Sequence, residues 1–262
     1  MTENNSFKKQ IRARMKIAGE TYAQARAHLY DSSYKPDSHY LSLGYLPGNP
    51  APHTGLTLES IFPAEDIPTV SEQLLSQRYG LIVISGAANS GKTMTLNTML
   101  NSSTGLRSIS IEYQDRELSV NPDSLHVGLS VSERTEMSAV TKAAMRMWSD
   151  MIAFPNLTPI DEDILCCAAH TARTAHLGII DMHSSSLSNT IQTLNKPLEG
   201  DFSSLNAVIE QQRVRSGSRS FFKRSVIVFT DAVRRSAEEY VQHGDEKLLY
   251  SQLAEQGVKP AT

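Results

Sequence analysis

The stretch Leu81–Leu100, LIVISGAANSGKTMTLNTML, decides the fold, because an apolar run ends at a glycine and the chain then continues with helical spacing. Residues 86–93 of this stretch fit the pattern G-x-x-x-x-G-K-[ST]. In a loop of this kind, at the start of a helix, successive backbone N–H groups turn inward and hold the phosphates of a nucleotide. The apolar run before Gly86 indicates a buried parallel strand. The stretch therefore predicts a strand, a phosphate loop and a helix, in that order.

The predicted loop also carries a cation and a hydroxyl where phosphate chemistry requires them. Lys92 is placed to reach the β- and γ-phosphates, and Thr93 is placed to ligate Mg²⁺. The residues that we expect to contact the nucleotide form the loop and the first helical turn, namely Gly86, Ala87, Ala88, Asn89, Ser90, Gly91, Lys92, Thr93 and Met94. A glycine-rich turn with an incidental lysine is the alternative to this interpretation.

The composition is that of a globular protein. The chain has 262 residues, of which 40% are hydrophobic, and a formal net charge of −3. This charge argues against a protein whose main role is to coat nucleic acid. No segment approaches the roughly 18 apolar residues of a membrane span, and the N-terminus lacks the apolar core of a signal peptide. The two cysteines are adjacent, which is a poor geometry for a disulfide, so we expect a cytoplasmic protein without a membrane span.

The first part of the chain differs in character from the rest. Apolar residues recur with helical spacing over residues 7–30, with basic residues on the other faces, which predicts an amphipathic helix. Such a helix can lie on a membrane or on nucleic acid, although a solvated charged face is the commoner explanation. Residues 31–54 lose this spacing and are rich in proline towards their end. We predict a helical N-terminal extension and linker over residues 1–54 and a nucleotide-binding domain over residues 55–262.

Strands and helices alternate after the phosphate loop. The predicted strands are 106–111, 150–154, 176–181 and 225–229, and the predicted helices are 132–148, 160–174, 187–194, 231–242 and 245–256. Residues 56–62 favour a short strand or turn, with a helix beginning at Pro68 or Ser71 after them, and residues 113–130 favour a polar, turn-rich connection. The alternation predicts an α/β fold with a parallel sheet covered by helices on both faces.

Two other classes of phosphate-loop protein can be tested against the sequence. A small GTPase needs N-K-x-D to bind guanine, and residues 195–198 read NKPL, with leucine in place of the aspartate, so this class is excluded. A small-molecule kinase is harder to exclude, because its lid arginines have no fixed spacing. The basic stretch over residues 213–224 could supply them.

Four blocks of sequence, taken together, resemble the secretion and pilus motor ATPases of the type II/type IV secretion family. They are the phosphate loop, SISIE at 108–112, AMRMWSDMI at 144–152 and TAHLGIIDMHS at 174–184. The second block is similar to the acidic Asp box of the family and the fourth to its His box. The resemblance covers about residues 56–240 and implies a RecA-like P-loop NTPase core with a mostly parallel sheet and a short helical N-terminal extension.

The resemblance also implies an activity and partners. It implies ATP and Mg²⁺ as ligands and a homo-oligomer, a hexameric ring in the family, that works with components of a secretion, type IV pilus or conjugation machine. The expected location is cytoplasmic, with a peripheral position at the inner membrane, and nucleic acid is not expected as the main ligand. The candidate catalytic residues carried over from the family are Glu112, His183, Arg146 and Arg134. By this resemblance, Glu112 would orient or deprotonate the attacking water, and His183 would sense the γ-phosphate.

The sequence departs from the family at the Walker B strand, which should end in Gly-Glu. The apolar run at 150–154 continues into Pro155 and Asn156, so an amide takes the place of the glutamate, and a count back from His176 puts Thr158 there instead. The nearby acids are Asp150, Asp161, Glu162 and Asp163. Phosphoryl transfer should be slow without a carboxylate that orients Mg²⁺ and water. A slow motor ATPase and a degenerate, non-hydrolysing ATP-binding subunit of such a machine both remain open.

Overall fold

The computed structural model describes residues 56–103, 105–113, 118, 125–216, 219–255 and 257–258. The N-terminal extension and linker predicted over residues 1–54 lie outside these ranges, and the division of the chain near residue 54 stays a prediction.

Within the described ranges, seven strands form one sheet in the order β3-β2-β4-β5-β1-β6-β7. In chain order they are β1 (Gly80–Gly86), β2 (Ser108–Tyr113), β3 (His126–Val131), β4 (Met151–Leu157), β5 (Leu177–His183), β6 (Leu205–Ser216) and β7 (Arg219–Val228). All neighbouring pairs are parallel except β6 and β7, which form an antiparallel hairpin. The predicted α/β fold with a mostly parallel sheet is confirmed. The phosphate-loop strand β1 lies between β5 and β6.

Helices cover both faces of the sheet. They are α1 (Leu58–Ile61), α2 (Lys92–Ser102), α3 (Met137–Met145), α4 (Glu162–Arg173), α5 (Leu187–Asn195), α6 (Asp231–His243) and α7 (Glu246–Glu255). A π-helical turn spans Thr69–Leu74, and 3₁₀ turns span Arg134–Glu136 and Phe202–Ser204. In the described ranges, no helix combines the length and the apolar character that a membrane crossing would need.

Two apolar layers hold the sheet between the helices. Within β1, Leu81 and Val83 belong to one layer, while Ile82 and Ile84 belong to the other, and all four are fully buried. This alternation is typical of a central strand that is buried on both faces. Each such side chain contributes about 1.5 to 3 kcal/mol through burial. The core thus fixes the position at which β1 ends and the phosphate loop begins.

Three segments differ from the sequence predictions. The prediction of a short strand or turn at residues 56–62 was wrong, because α1 forms there, with the Thr57 N–H donating to Ser60 Oγ at 3.0 Å at its start. The connection predicted over residues 113–130 contains β3, which pairs with β2. Only two of its six residues are buried, so its apolar signal is weak. β6 was also missed, and the basic stretch at 213–224 lies on the β6–β7 hairpin.

The amino ends of the parallel strands form the edge of the sheet opposite the phosphate loop. Tyr79, directly before β1, is 61% exposed, and Trp148, just before β4, is 79% exposed. A seven-residue strand rises about 3.3 Å per residue, so this amino edge lies roughly 20 Å from the carboxyl edge. Large aromatic side chains are therefore displayed on the side of the sheet away from the predicted nucleotide site.

Candidate active site

The phosphate loop connects the end of β1 to the start of α2 at the carboxyl edge of the sheet. Gly91 precedes the helix with a φ of +83°, a left-handed conformation that glycine adopts without strain. The helix then begins directly at Lys92, so the N–H groups of its first turn open towards the loop. The predicted order of strand, loop and helix is confirmed.

The two glycines of the loop lie against one residue of β6. A Cβ atom on Gly86 would lie 2.1 Å from the carbonyl oxygen of Gln211, and one on Gly91 would lie 2.9 Å from Gln211 Nε2. The second Cβ would also come within 3.3 Å of the ring of Phe222 on β7. Only residues without a side chain fit at both positions. Gln211 was not identified from the sequence, because its contact with the loop joins residues far apart in the chain.

The interior of the loop fits a chain of phosphates. Lys92 is 5% exposed, and its Nζ donates to the carbonyl oxygen of Ala87 at 2.9 Å, which places the cation across the loop. Ser90 is 1% exposed, and its Oγ has no hydrogen-bond partner among the described residues. A buried hydroxyl without a partner costs about 1 to 3 kcal/mol, and a phosphoryl oxygen would satisfy it. Thr93, half-buried in the first turn of α2, is suitably placed to supply a hydroxyl ligand to Mg²⁺.

A cavity of about 320 Å³ opens beside the loop. It is lined by Ser85 to Ala88 and Ser90 at the loop, by Ser184–Ser186 after β5 and by Glu210–Arg213 of β6. Its volume is at the lower end of the range for small-molecule sites. Arg213 is exposed at its margin, whereas Glu210 is buried. The cavity adjoins the loop, as a nucleotide site at the carboxyl edge of a parallel sheet should.

His183 lies beside the phosphate loop. It is the last residue of β5 and stands opposite Gly86 in the β1–β5 pair, and the N–H of Ser184 donates to the Gly86 carbonyl oxygen at 3.2 Å. Its Nε2 lies 3.4 Å from Oδ1 of Asn156. The structure therefore brings together the predicted histidine, the amide at the end of the predicted Walker B strand and the loop. The catalytic role of His183 stays a prediction.

The end of β4 forms a bulge at the position where the sequence departs from the family. The pairing register with β5 shifts between Phe154 and Leu157, and Asn156 within this bulge has a φ of +57°. β4 therefore continues past Pro155, where the sequence predicted that it would stop. The N–H of Asn156 donates to Oδ1 of Asp181 at 2.7 Å. The bulge directs an exposed amide towards His183.

Asp181 is an acidic residue that sequence reasoning missed. It is 1% exposed and stands opposite Ile84 in the β1–β5 pair, two residues before His183. The signal was present in the sequence, because an aspartate interrupts the apolar strand LGIIDMH. A buried carboxylate in such a strand points to a structural or catalytic role. Here it fixes the backbone of Asn156 in the bulge.

Glu112 lies at the same edge of the sheet but farther from the loop. It is 2% exposed, and its carboxylate accepts hydrogen bonds from Ser110 Oγ at 2.9 Å and from the Leu118 N–H at 3.2 Å. Its strand β2 is three positions from β1 in the sheet, a distance of about 14 Å at roughly 4.8 Å per strand. Glu112 therefore shares the carboxyl edge with His183, and its role with water stays a prediction.

Neither candidate arginine belongs to an element next to the phosphate loop of its own chain. Arg146 follows α3 and precedes β4, so it lies near the amino edge, roughly 20 Å from the loop. This placement separates Arg146 from the loop of its own chain, and its catalytic role stays a prediction. The backbone of Arg134 begins the 3₁₀ turn after β3, the outermost strand on that side. Any contact of either arginine with a nucleotide in another copy stays a prediction.

The acids near the Walker B strand have other partners. Asp150 lies at the amino edge, where Arg107 Nε is 3.1 Å from its carboxylate and holds the pKa of Asp150 below its usual value. Asp161 is 4% exposed and accepts hydrogen bonds from the Thr158 N–H at 2.8 Å and Oγ1 at 2.7 Å. Glu162 pairs with Lys196. Asp150 cannot serve the nucleotide site, and Asp161 stabilises the turn before α4.

Comparison with known proteins gives a consistent result. A model of the type II/IV secretion system protein family matches residues 57–247. The competence protein ComGA of Halalkalibacterium halodurans is 29% identical over 140 residues, which are 51% of this chain and 40% of ComGA. The Legionella pneumophila ATPase DotB has a TM-score of 0.57 and 18% identity, over 78% of this chain and 63% of DotB. The pilus retraction motor PilT, solved with bound ADP, has a TM-score of 0.58 and 18% identity, over 78% of this chain and 64% of PilT.

These matches differ in what they establish. The chain spans about two fifths of the curated relative and somewhat less than two thirds of each solved structure. At 18% identity, the two solved structures show a shared fold. The family match covers most of the chain and includes all four blocks on which the sequence resemblance rests. The resemblance is confirmed, and this chain belongs to the type II/IV secretion system protein family.

Proposed function

We propose that the chain binds ATP and Mg²⁺ at the phosphate loop and hydrolyses ATP slowly, as a motor-type ATPase of a secretion, type IV pilus or conjugative transfer system. The observation that carries this proposal is the loop itself. Lys92 and the unpartnered hydroxyl of Ser90 belong to one glycine-framed loop, with His183 on the adjacent strand. Family membership supports the same activity.

The residues of the loop account for binding. On binding, Lys92 would exchange the Ala87 carbonyl for phosphoryl oxygens, because a hydrogen bond between charged partners is the stronger one. The Ser90 hydroxyl and the N–H groups at the start of α2 would donate to the same phosphates. Thr93 would hold Mg²⁺, which when bound neutralises charge on the β- and γ-phosphates. The positive end of the α2 dipole adds to this attraction.

The residues around the bulge account for slow hydrolysis. Asn156 and His183 can each form a hydrogen bond with a water molecule, but an amide cannot accept a proton from it. Glu112, the candidate acid, lies about 14 Å along the edge by strand count. Transition-state charge would thus be stabilised mainly by Lys92 and Mg²⁺, so we expect binding to be more effective than turnover.

The amide of Asn156 also favours a second function, that of an ATP-binding subunit which does not hydrolyse ATP and regulates or stabilises the machine. Calorimetry with Mg²⁺ and ATP, together with a steady-state ATPase assay, separates the two functions. Binding with slow turnover supports the motor, and binding without turnover supports the second function. Lys92→Ala should abolish tight binding in either case, and unchanged affinity would remove the phosphate-loop assignment. Dependence of turnover on a phosphate acceptor would instead indicate a kinase.

The proposed partners are further copies of this chain and components of a machine at the inner membrane. The similarity to a competence protein and to a pilus retraction motor supports this. A catalytic role for Arg146 would require a neighbouring copy, because this residue lies roughly 20 Å from the loop of its own chain. Native mass spectrometry with and without ATP tests for a ring. A monomer under both conditions would contradict an oligomeric motor.

A further inference from the structure

Gln211 on β6 connects two parts of the phosphate site through its side chain. It is fully buried, and its Nε2 donates to the carbonyl oxygen of Ser90, while its Oε1 accepts from Thr95 Oγ1 at 2.8 Å. Ser90 belongs to the loop and Thr95 to the first turns of α2. One side chain thus joins the loop and the helix after it to the neighbouring strand.

Arg224 on β7 donates the first hydrogen bond in the chain that leads through Thr95 to Gln211. Its Nε lies 3.1 Å from Thr95 Oγ1. A guanidinium group can only donate, so the Thr95 oxygen accepts this hydrogen bond, and the Thr95 hydroxyl donates its own proton to Gln211 Oε1. The Ser90 carbonyl oxygen can only accept, so the amide nitrogen of Gln211 faces Ser90 and the amide oxygen faces Thr95. The direction of this chain of hydrogen bonds is thus fixed at its two ends, by a guanidinium group that only donates and a carbonyl group that only accepts.

Arg224 is itself held in place by neutral groups. One of its terminal nitrogens donates to the Ile61 carbonyl oxygen at 2.6 Å, and its guanidinium carbon lies 5.7 Å from the ring centre of Phe62 and 5.8 Å from that of Phe222. It forms no ion pair with the residues that the structure describes. Burial lowers its pKa to about 10, so it is still a cation at neutral pH. Its fixed position makes it a reliable donor to Thr95.

The contact between Gln211 and Ser90 sets the orientation of a loop peptide. In a trans peptide the C=O and the following N–H point in opposite directions, and the described residues contain no cis peptide. Since the Ser90 carbonyl is turned towards Gln211, the N–H of Gly91 is turned away from β6 and into the loop. A phosphate held by the loop needs N–H groups in this direction.

We propose that Gln211 is a positioning residue for the nucleotide phosphates, and that Arg224 orients it through Thr95. Gln211 holds the Ser90–Gly91 peptide in the orientation that phosphate binding requires. This inference rests on the proposed function, because it concerns the affinity of the loop for a nucleotide. It also means that the β6–β7 hairpin and the bound phosphates are linked by one path of hydrogen bonds.

Thr95→Val tests the path with a matched control on the same helix. Valine keeps the shape of threonine and removes the hydroxyl. Thr98→Val makes the same change at an equally buried residue, whose hydroxyl donates to the Met94 carbonyl oxygen at 2.9 Å. By calorimetry on the full chain with Mg²⁺ and ATP, we expect Thr95→Val to weaken affinity about tenfold, the loss of roughly one hydrogen bond, and Thr98→Val to change it less than about twofold. Thr95→Ser should restore it.

If Thr95 had a purely structural role, both valine variants would have a lower melting temperature and the same affinity for Mg²⁺-ATP, and that result would overturn the proposal.

A double-mutant cycle tests the route through Thr95. Gln211→Met and Thr95→Val interrupt the same path, so the double variant should bind no more weakly than the weaker single variant. Additive losses would show that Gln211 acts without Thr95 and would overturn the route.

Gln211→Glu provides a variant of the same size if Gln211→Met does not fold. It keeps the acceptor for Thr95 and removes the donor to Ser90, so it should weaken Mg²⁺-ATP binding more than Thr95→Val does. Equal or tighter binding by Gln211→Glu would overturn the proposal. Failure of the proposed function is a separate result, because the unchanged protein would then not bind Mg²⁺ and ATP at all.

Discussion

Asn156→Asp should convert a slow site into a faster one. The residue lies in a bulge with a φ of +57°, a left-handed conformation that asparagine and aspartate tolerate better than other side-chain-bearing residues. Aspartate therefore keeps the backbone, whereas glutamate would add strain of about 1 kcal/mol or more. The new carboxylate would lie where the amide now lies, 3.4 Å from His183 Nε2 and exposed to solvent. It could orient water and accept its proton.

The expected gain follows from what one transition-state contact contributes. Such a contact changes the rate by about 10²- to 10³-fold, or roughly 3 to 4 kcal/mol. We expect the lower end of this range, because Asp181 accepts the N–H of Asn156 at 2.7 Å and a second carboxylate nearby opposes ionisation of the first. Steady-state hydrolysis at saturating Mg²⁺ and ATP measures kcat, and calorimetry should show little change in affinity.

Asn156→Gly is the matched control, because glycine keeps the left-handed backbone and supplies no acid, so its rate should not rise. An unchanged or lower rate in Asn156→Asp would refute the reasoning. The reasoning would also be refuted if the natural chain turned over ATP at about 1 to 100 per second, the range typical of kinases, and Glu112→Gln removed that activity. That outcome would show that Glu112 supplies the acid despite its distance along the edge.

Four other changes test the fold and the placement of residues. Gly86→Ala should destabilise the loop, because its Cβ would lie 2.1 Å from a β6 carbonyl oxygen, and should lower both melting temperature and ATP affinity. Phe154→Ala should lower the free energy of unfolding, measured in urea, by about 3 to 5 kcal/mol, since this side chain is fully buried. Asp150→Asn should leave ATP turnover unchanged and lower the free energy of unfolding by at most about 1 kcal/mol at neutral pH, because the ion pair is exposed. The pKa of Asp150 is lowered in the folded state, so the stabilisation is present above the unfolded pKa and is lost as pH falls through the folded pKa. Urea titrations of both proteins at several pH values would show this loss. Arg146→Ala should leave ATP affinity of the monomer unchanged and lower turnover only under conditions of assembly, as concentration-dependent assays would reveal.

The parts of the fold that depend on neighbouring residues could be predicted from the sequence. The phosphate loop, its strand and its helix form one continuous stretch, so spacing and apolar pattern were sufficient. β3 was not found, because an edge strand with little buried surface has a weak apolar pattern. The contacts of Gln211 with Ser90 and Thr95 join residues more than 100 positions apart, and no local pattern reports such a contact.

The placement of Arg146 shows what sequence order can and cannot predict. The family motif made it a candidate catalytic residue, and the structure places it between a helix and the strand that follows it. In a parallel α/β sheet the chain must return to the amino edge before each new strand, so a residue at this point lies opposite the ligand edge. Topology alone excluded a contact within one chain. The position of Asp181, by contrast, could have been predicted, because an acidic residue near the end of an apolar parallel strand lies near the carboxyl edge of the sheet.

The exposure of Trp148 makes its intrinsic fluorescence a probe of assembly. It is the only tryptophan in the sequence and is 79% exposed at the amino edge, away from the loop. Its emission should therefore lie at the long wavelengths of a hydrated indole and should not respond to ATP bound by a single copy. A shift to shorter wavelength when ATP is added would report that another chain has covered this edge. Intrinsic fluorescence can thus follow assembly separately from ligand binding, without any added label.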